Sequence, residues 1–155
     1  MLNPTGAEVC RAWVIGLGTA FGDDRIGWEV VARLPAALPA GVRCCTTSDP
    51  LSVIEAPVGC ELLIVIDACN GAGLPGTVHR FEWPDARLVT VESMSSHGVG
   101  LAEALDLAAT LGRLPPKAVI LSVEGVHGGS GLRPSSTVEA AISEIISLVL
   151  AEIQC

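Results

Sequence analysis

Residues 61–67 read Glu-Leu-Leu-Ile-Val-Ile-Asp, an apolar and partly β-branched run that ends in an aspartate. A strand without alternating polar residues is typical of a sheet that helices cover on both faces. Residues 12–17 and 117–123 are similar apolar runs, and they predict two further central strands. Together the three runs favour parallel strand pairing in an α/β fold.

Helical patterns lie between the predicted strands. Apolar residues recur at helical spacing over 26–34, and a second apolar stripe begins just after His97 and ends near Gly112. Ser136 and Glu139 form a capping-box pattern, which predicts the start of a last helix that runs to about the C-terminus. Alternating strands and helices with short connections indicate a helix layer on each face of the sheet.

Two more segments complete the predicted sheet. Residues 42–47 are expected to form a strand, and residues 76–83 alternate apolar and polar side chains, which is typical of an edge strand with one wet face. We therefore expect a three-layer α/β/α sandwich with a mostly parallel, five- or six-stranded sheet and an antiparallel edge strand. The length of 155 residues suits a single domain over 1–155.

The charge of the chain excludes several classes of partner. The formal net charge is −8, and Lys117 is the only lysine among nine basic residues. Binding to phosphates needs clustered cations, so we expect neither nucleic acid nor an anionic membrane as a partner.

Cysteine usage and hydropathy predict the compartment. The six cysteines show no Cys-x-x-Cys spacing and are expected to be small core hydrophobes. The sequence shows neither a charged-then-apolar leader nor an apolar run of membrane-spanning length. We therefore expect a cytoplasmic protein without disulfides.

Three side chains are expected where strands of the sheet end. Asp24 lies in Gly-Asp-Asp-Arg-Ile-Gly (22–27), Asp67 closes the central apolar run, and His97 lies in Ser-Ser-His-Gly-Val-Gly. In an open parallel sheet the ligand crevice lies beyond the carboxyl ends of the strands, so these residues can meet there. Two carboxylates and an imidazole suit zinc or nickel and leave a coordination position for a substrate atom. The sequence therefore predicts a metal site.

Structural roles remain open for the same residues. Asp23 is the better candidate to cap the first helix, which leaves Asp24 as a surplus charge. Asp67 either caps the turn that follows it or stands in the crevice. One of the two serines just before His97 can cap the helix that follows, while the imidazole reaches a ligand.

Other chemically capable residues are weaker candidates. His79 and His127 are expected to be exposed structural residues. Cys69 could act as a nucleophile, but the sequence places no histidine to activate it. Residues 16–22 superficially suggest a dinucleotide fingerprint, with one residue too many between the second and third glycines. The two adjacent aspartates that follow would repel a pyrophosphate, which disfavours a nucleotide site.

Several motifs with a common resemblance are spread over nearly the whole chain. They are Gly16-Leu-Gly with Gly-Asp-Asp-Arg-Ile-Gly, Ile-Asp-Ala-Cys-Asn-Gly (66–71) with Leu-Pro-Gly-Thr-Val (74–78), the histidine loop Ser-Ser-His-Gly-Val-Gly-Leu, and Leu132-Arg-Pro-Ser before the last helix. This set resembles the maturation endopeptidases of nickel-iron hydrogenases, which trim the C-terminal tail of the hydrogenase large subunit.

The resemblance implies specific roles and a specific reaction. Asp24, Asp67 and His97 would bind the metal, and Asp24 and Asp67 would form an aspartic-type catalytic site. The nickel would arrive with the hydrogenase large-subunit precursor, so zinc or another divalent ion can substitute in isolated protein. The implied reaction removes the C-terminal extension of the precursor after nickel insertion, by attack of a carboxylate or a metal-polarised water on the scissile carbonyl.

Two positions depart from the family pattern. Thr19 stands where asparagine is usual, and the turn from Gly18 to Asp24 is one residue shorter. These differences fit a branch that serves a different hydrogenase. They also fit a relative that binds metal without cutting, a noncatalytic checkpoint or binding protein for a metalloenzyme precursor.

Overall fold

A mixed β-sheet forms the centre of the structure. The computed structural model describes residues 6, 8–71, 73–90, 92–93, 98–126 and 131–155. Within these ranges the strands, in chain order, are β1 (Ala12–Leu17), β2 (Val42–Thr47), β3 (Leu62–Asn70), β4 (Val78–Glu82), β5 (Glu92–Ser93) and β6 (Lys117–Glu124). Their order across the sheet is β2-β1-β3-β6-β4, and the short β5 pairs with the end of β3.

Parallel pairing dominates the sheet. β1 pairs in parallel with β2 and β3, and β3 pairs in parallel with β6. β4 is antiparallel to β6 and lies at the edge of the sheet. These pairings confirm the predicted mostly parallel sheet with an antiparallel edge strand.

Helices cover both faces of this sheet. The α-helices are α1 (Ile26–Arg33), α2 (Arg87–Thr90), α3 (Leu101–Thr110) and α4 (Ser136–Gln154), and 3₁₀ turns occupy Gly22–Arg25 and Pro50–Glu55. α1 and α4 pack on one face, and α3 packs on the other together with the turn Pro50–Glu55. The predicted three-layer sandwich is therefore confirmed. Over the described ranges, no helix combines the length and apolarity needed to cross a bilayer.

The predicted end of the central strand was wrong. β3 does not end at Asp67 but continues to Asn70. It continues because β6 runs as far as Glu124 and supplies parallel partners for Ala68 and Cys69. Asp67 therefore lies inside a strand, and the Gly71 N–H of the turn that follows donates to Glu124.

Two predicted helix caps were also wrong. α4 is capped by Ser135, whose Oγ accepts a hydrogen bond from the Val138 backbone N–H at 3.5 Å. Glu139 does not complete a capping box, because its carboxylate pairs with Arg33 at 2.6 Å. α3 begins after Gly100, whose N–H is accepted by the Glu103 carboxylate at 2.5 Å, so neither Ser95 nor Ser96 is its cap.

The cysteines do not all lie in the core. Cys10, Cys60 and Cys69 are buried, as expected for small core hydrophobes, whereas Cys44 and Cys155 are exposed. Cys44 is exposed because it lies on β2, which is an edge strand with one uncovered side. All six are free thiols.

Candidate active site

The first turn of α1 lies directly against the backbone of two strands. A Cβ atom at Gly27 would lie 2.5 Å from the Leu17 carbonyl oxygen and 2.6 Å from that of Ile66. Both distances are too short for a side chain, so this close approach requires glycine. The motif 22–27 is thereby fixed against the residue that immediately precedes Asp67.

Asp24 and Asp67 lie at the same end of the sheet. Asp24 belongs to the 3₁₀ turn Gly22–Arg25, which leads into α1 and packs against β3. Its backbone oxygen accepts a hydrogen bond from the Thr19 N–H at 3.2 Å. Asp24 is 8% exposed and Asp67 is 2% exposed. The structure thus places two of the three predicted site residues at one end of the sheet, and both are almost inaccessible to water.

The side chain of Asp67 points toward the α3 layer. Side chains alternate along a strand, so Asp67 shares a face with Leu63 and Val65. Those residues pack in one cluster with Leu101 and Leu105 of α3. α3 begins at the same end of the sheet, because it follows β5, which pairs with the end of β3, and it leads back to the start of β6. The helix that follows position 97 therefore begins on the face to which Asp67 points.

The third predicted ligand lies outside the described residues. His97 falls there, as do Ser95, Ser96 and His127. Within the described ranges, no three His, Cys, Asp or Glu side chains are grouped so as to hold a metal ion. The predicted metal site of Asp24, Asp67 and His97 therefore stays a prediction.

Asp23 has a role that the sequence interpretation did not foresee. It does not cap α1, which has no side-chain cap. Its carboxylate accepts hydrogen bonds from the backbone N–H groups of Val126 at 2.7 Å and Ser135 at 2.6 Å. Nearby, the Gly22 N–H donates to the Gly131 carbonyl at 2.7 Å. Asp23 thus ties the turn that carries Asp24 to the end of β6 and the start of α4.

Two buried polar residues on β6 were missed from the sequence. Ser122 pairs in register with Asp67, and Glu124 pairs with Cys69. The Glu124 carboxylate accepts hydrogen bonds from the Gly71 N–H at 2.7 Å and from the Cys69 thiol at 3.5 Å. The sequence did contain a signal for them, because two polar residues that are two positions apart in a strand point to the same face of the sheet. Together these residues form a polar layer beside Asp67.

Cys69 is unsuited to nucleophilic attack. Burial raises the pKa of its thiol well above the usual value, and the neighbouring Glu124 carboxylate raises that pKa further. The thiolate is the reactive form of cysteine, so this thiol is unreactive near neutral pH. This environment agrees with the sequence analysis, in which Cys69 was a weak candidate for a catalytic nucleophile.

His79 is less exposed than expected. It lies on β4, in register with Ser122, and its ring stacks on Phe81 with the centroids 6.1 Å apart. The side chain is half-buried, because the antiparallel edge strand turns this face toward the α3 layer. The prediction that His79 is an exposed residue was therefore wrong.

Comparison with known proteins decides the family. Residues 47–152 match the family model described as hydrogenase maturation protease. The chain belongs to the hydrogenase maturation protease family. The resemblance that the motifs indicated is thereby confirmed.

Individual members of the family agree with this assignment. The hydrogenase expression/formation protein HupD of Thiocapsa roseopersicina is 35% identical over 95 residues, which cover 58% of this chain and 42% of that protein. The matched region thus spans less than half of that relative's length. The structure of the hydrogenase maturating endopeptidase HybD from E. coli superposes with a TM-score of 0.77 at 25% identity, over 93% of this chain and 92% of that one.

A more distant relative shows the same fold. The NiFe hydrogenase maturation protease HybD of Thermococcus kodakarensis has a TM-score of 0.74 at 19% identity, over 92% of this chain and 99% of that chain. The predicted fold class is therefore that of the maturation proteases.

Proposed function

We propose that this chain is an endopeptidase that removes the C-terminal extension of a nickel-iron hydrogenase large-subunit precursor after nickel insertion. Family membership supports the reaction class. The observation that carries the proposal is the burial of Asp24 and Asp67 at one end of the sheet, with the turn of one packed against the strand of the other.

The chemistry of this pair fits a cationic substrate. Buried carboxylates are costly when ionised, unless a cation, hydrogen-bond donors or a proton compensate the charge. In this proposal the cation is the nickel of the precursor, which Asp24, Asp67 and His97 contact. Zinc or another divalent ion can take its place on the isolated protein. One of the two aspartates then accepts a proton from the water that attacks the scissile carbonyl, as in an aspartic-type peptidase.

Recognition of a metal that the substrate carries also explains why cleavage follows nickel insertion. Contact with the nickel places the tail beside the carboxylates, so cleavage becomes effectively intramolecular. A precursor without nickel lacks this anchor and is not cut. We place the reaction in the cytoplasm, and the six free thiols fit a reducing compartment.

Substitution at the site tests the proposal. Asp24→Asn and His97→Ala should fold normally and leave the mass of a nickel-loaded precursor unchanged, because each removes one contact to the metal. Asp106→Asn, on the exposed side of α3, is the matched control and should process the precursor as wild type does. Normal processing by either site variant would reject the scheme.

The same experiment separates the noncatalytic alternative. A checkpoint protein would form a complex with the nickel-loaded precursor, and the precursor would keep its full mass even with the wild-type chain. A complex without cleavage by wild type would therefore replace the peptidase proposal.

A further inference from the structure

A groove with a volume of about 650 Å³ runs between α1 and the start of α4. Three arginines line it, namely Arg25, Arg33 and Arg133. The chain has only nine basic residues and a net charge of −8, so a third of its cations line one groove on an acidic protein. Such a concentration of guanidinium groups favours an anionic ligand.

Internal ion pairs do not neutralise this groove. Arg25 pairs with Glu29 at 2.5 Å, and Arg33 pairs with Glu29 at 3.1 Å and with Glu139 at 2.6 Å. Across the part of the chain that the structure describes, no carboxylate lies within ion-pair distance of Arg133. Three arginines against two glutamates leave one positive charge. The N-terminus of α4 at Ser136 also lines the groove and adds a partial positive charge.

Exposed apolar side chains lie on the two segments that carry lining residues. Leu132 lines the groove and is 69% exposed, and Phe21, which precedes the turn Gly22–Arg25, is 64% exposed. Their segments are joined by the hydrogen bond between the Gly22 N–H and the Gly131 carbonyl. A surface that combines arginine with exposed aromatic and aliphatic residues is typical of a protein-binding site.

The lining of the groove includes the residue next to Asp24. Arg25 lines the groove and directly follows Asp24 in the 3₁₀ turn Gly22–Arg25. A polypeptide that presents a peptide bond to Asp24 therefore has this groove as an adjacent path across the surface. The charge of the path selects for carboxylate side chains on that polypeptide, since guanidinium forks bind carboxylates in a bidentate manner.

We propose that this groove binds an acidic segment of the precursor's C-terminal extension, with Arg133 as the residue that contacts its carboxylates. This inference rests on the proposed function for the identity of the precursor. The groove would then contribute to substrate recognition independently of the metal. Arg133 acts in binding only, and the carboxylates of the active site carry out the cleavage.

Arg133→Ala tests the inference, because no ion pair within the described structure depends on that side chain. The matched control is Arg43→Ala, which removes the same charge from an exposed position on β2, at the opposite end of the sheet. We measure KM and kcat for cleavage of nickel-loaded precursor, and the Kd of each protein for the same precursor carrying a fluorescent label. Arg133→Ala should raise KM and Kd about tenfold with kcat unchanged, and Arg43→Ala should change neither.

A precursor variant identifies the carboxylates. Changing the acidic residues of the extension to their amides should weaken binding to the wild-type chain by about the same factor, with no further loss for Arg133→Ala. Unchanged Kd for Arg133→Ala, an equal loss for Arg43→Ala, or additive losses with the amide precursor would each overturn the inference. If the wild-type chain binds the precursor without cutting it, the proposed peptidase function fails, and the Kd values alone still decide the role of Arg133.

Discussion

Asp23 and Ser135 are joined by two hydrogen bonds, although 112 residues separate them in sequence. The Asp23 carboxylate accepts the Ser135 backbone N–H at 2.6 Å and the Ser135 hydroxyl at 3.2 Å. The same carboxylate accepts the Val126 N–H. Asp23 thus holds in place the turn that carries Asp24.

This division of labour predicts different effects for the two aspartates. Asp23→Ala leaves two backbone N–H groups without their acceptor and should lower the free energy of unfolding by about 3 kcal/mol. Asp24→Asn should change the free energy of unfolding by less than about 1 kcal/mol while abolishing processing. Urea denaturation of both variants measures the difference. Equal losses of stability would show that Asp24 is also structural.

Gly27 should be intolerant of any side chain. In Gly27→Ala the added methyl group meets the carbonyl oxygens of Leu17 and Ile66, which belong to two central strands and cannot move independently. We expect a loss of about 2–3 kcal/mol in the free energy of unfolding, as for overpacked cores. Gly100→Ala is the control, because its nearest contact is the flexible Glu103 side chain at 3.1 Å. Thermal unfolding that ranks the two variants alike contradicts this reason for the glycine.

Cys69 should be dispensable for cleavage despite its position two residues after Asp67. The raised pKa keeps its sulfur protonated, so Cys69→Ser should process nickel-loaded precursor within about threefold of the wild-type rate. Initial rates of precursor mass loss provide the measurement. A loss of about a hundredfold or more in a folded Cys69→Ser protein would instead assign the thiol a catalytic part.

Glu152 should make stability depend on pH in the acid range. A hydrogen bond from Arg80 lowers the pKa of Glu152 below 4.5, burial opposes this change, and a bond from Lys117 at 3.0 Å lowers the pKa further. The folded protein therefore releases this proton more readily than the unfolded chain does. The contribution of Glu152 is complete above pH 4.5 and is lost as the pH falls through the pKa of the folded state.

The measurement compares Glu152→Gln with wild type. At neutral pH the variant should be less stable than wild type by about 1 kcal/mol. This difference in the free energy of unfolding should shrink as the pH falls below the pKa of a free glutamate carboxyl group. Glu144→Gln, at an exposed position of the same helix, should follow the wild-type curve. A difference between Glu152→Gln and wild type that is constant across the acid range would contradict the assignment.

Local sequence patterns predicted the sheet and its layers well. Apolar runs identified the central strands, and alternation identified the edge strand β4, because these signals arise from each segment's own burial. The end of β3 was not predictable in this way. The sequence places the strand end at Asp67, whereas partner residues on β6 extend the pairing to Cys69 and the antiparallel β5 extends it to Asn70.

The roles of the two adjacent aspartates were also not predictable from local sequence patterns alone. Asp23 was assigned to a helix cap because capping is a local interaction, yet its partners Val126 and Ser135 lie more than a hundred residues away. No local pattern reports such a contact. The role of Asp24 at the metal site stays a prediction, because the reason given for it, a capping role for Asp23, does not hold.

In the proposed mechanism, nickel in the precursor triggers cleavage by the site of Asp24 and Asp67. The most direct measurement incubates the purified chain with nickel-loaded and with nickel-free large-subunit precursor and follows both by mass spectrometry. Only the loaded precursor should lose a C-terminal peptide. Equal cleavage of both forms, or an unchanged mass of the loaded form, would contradict it.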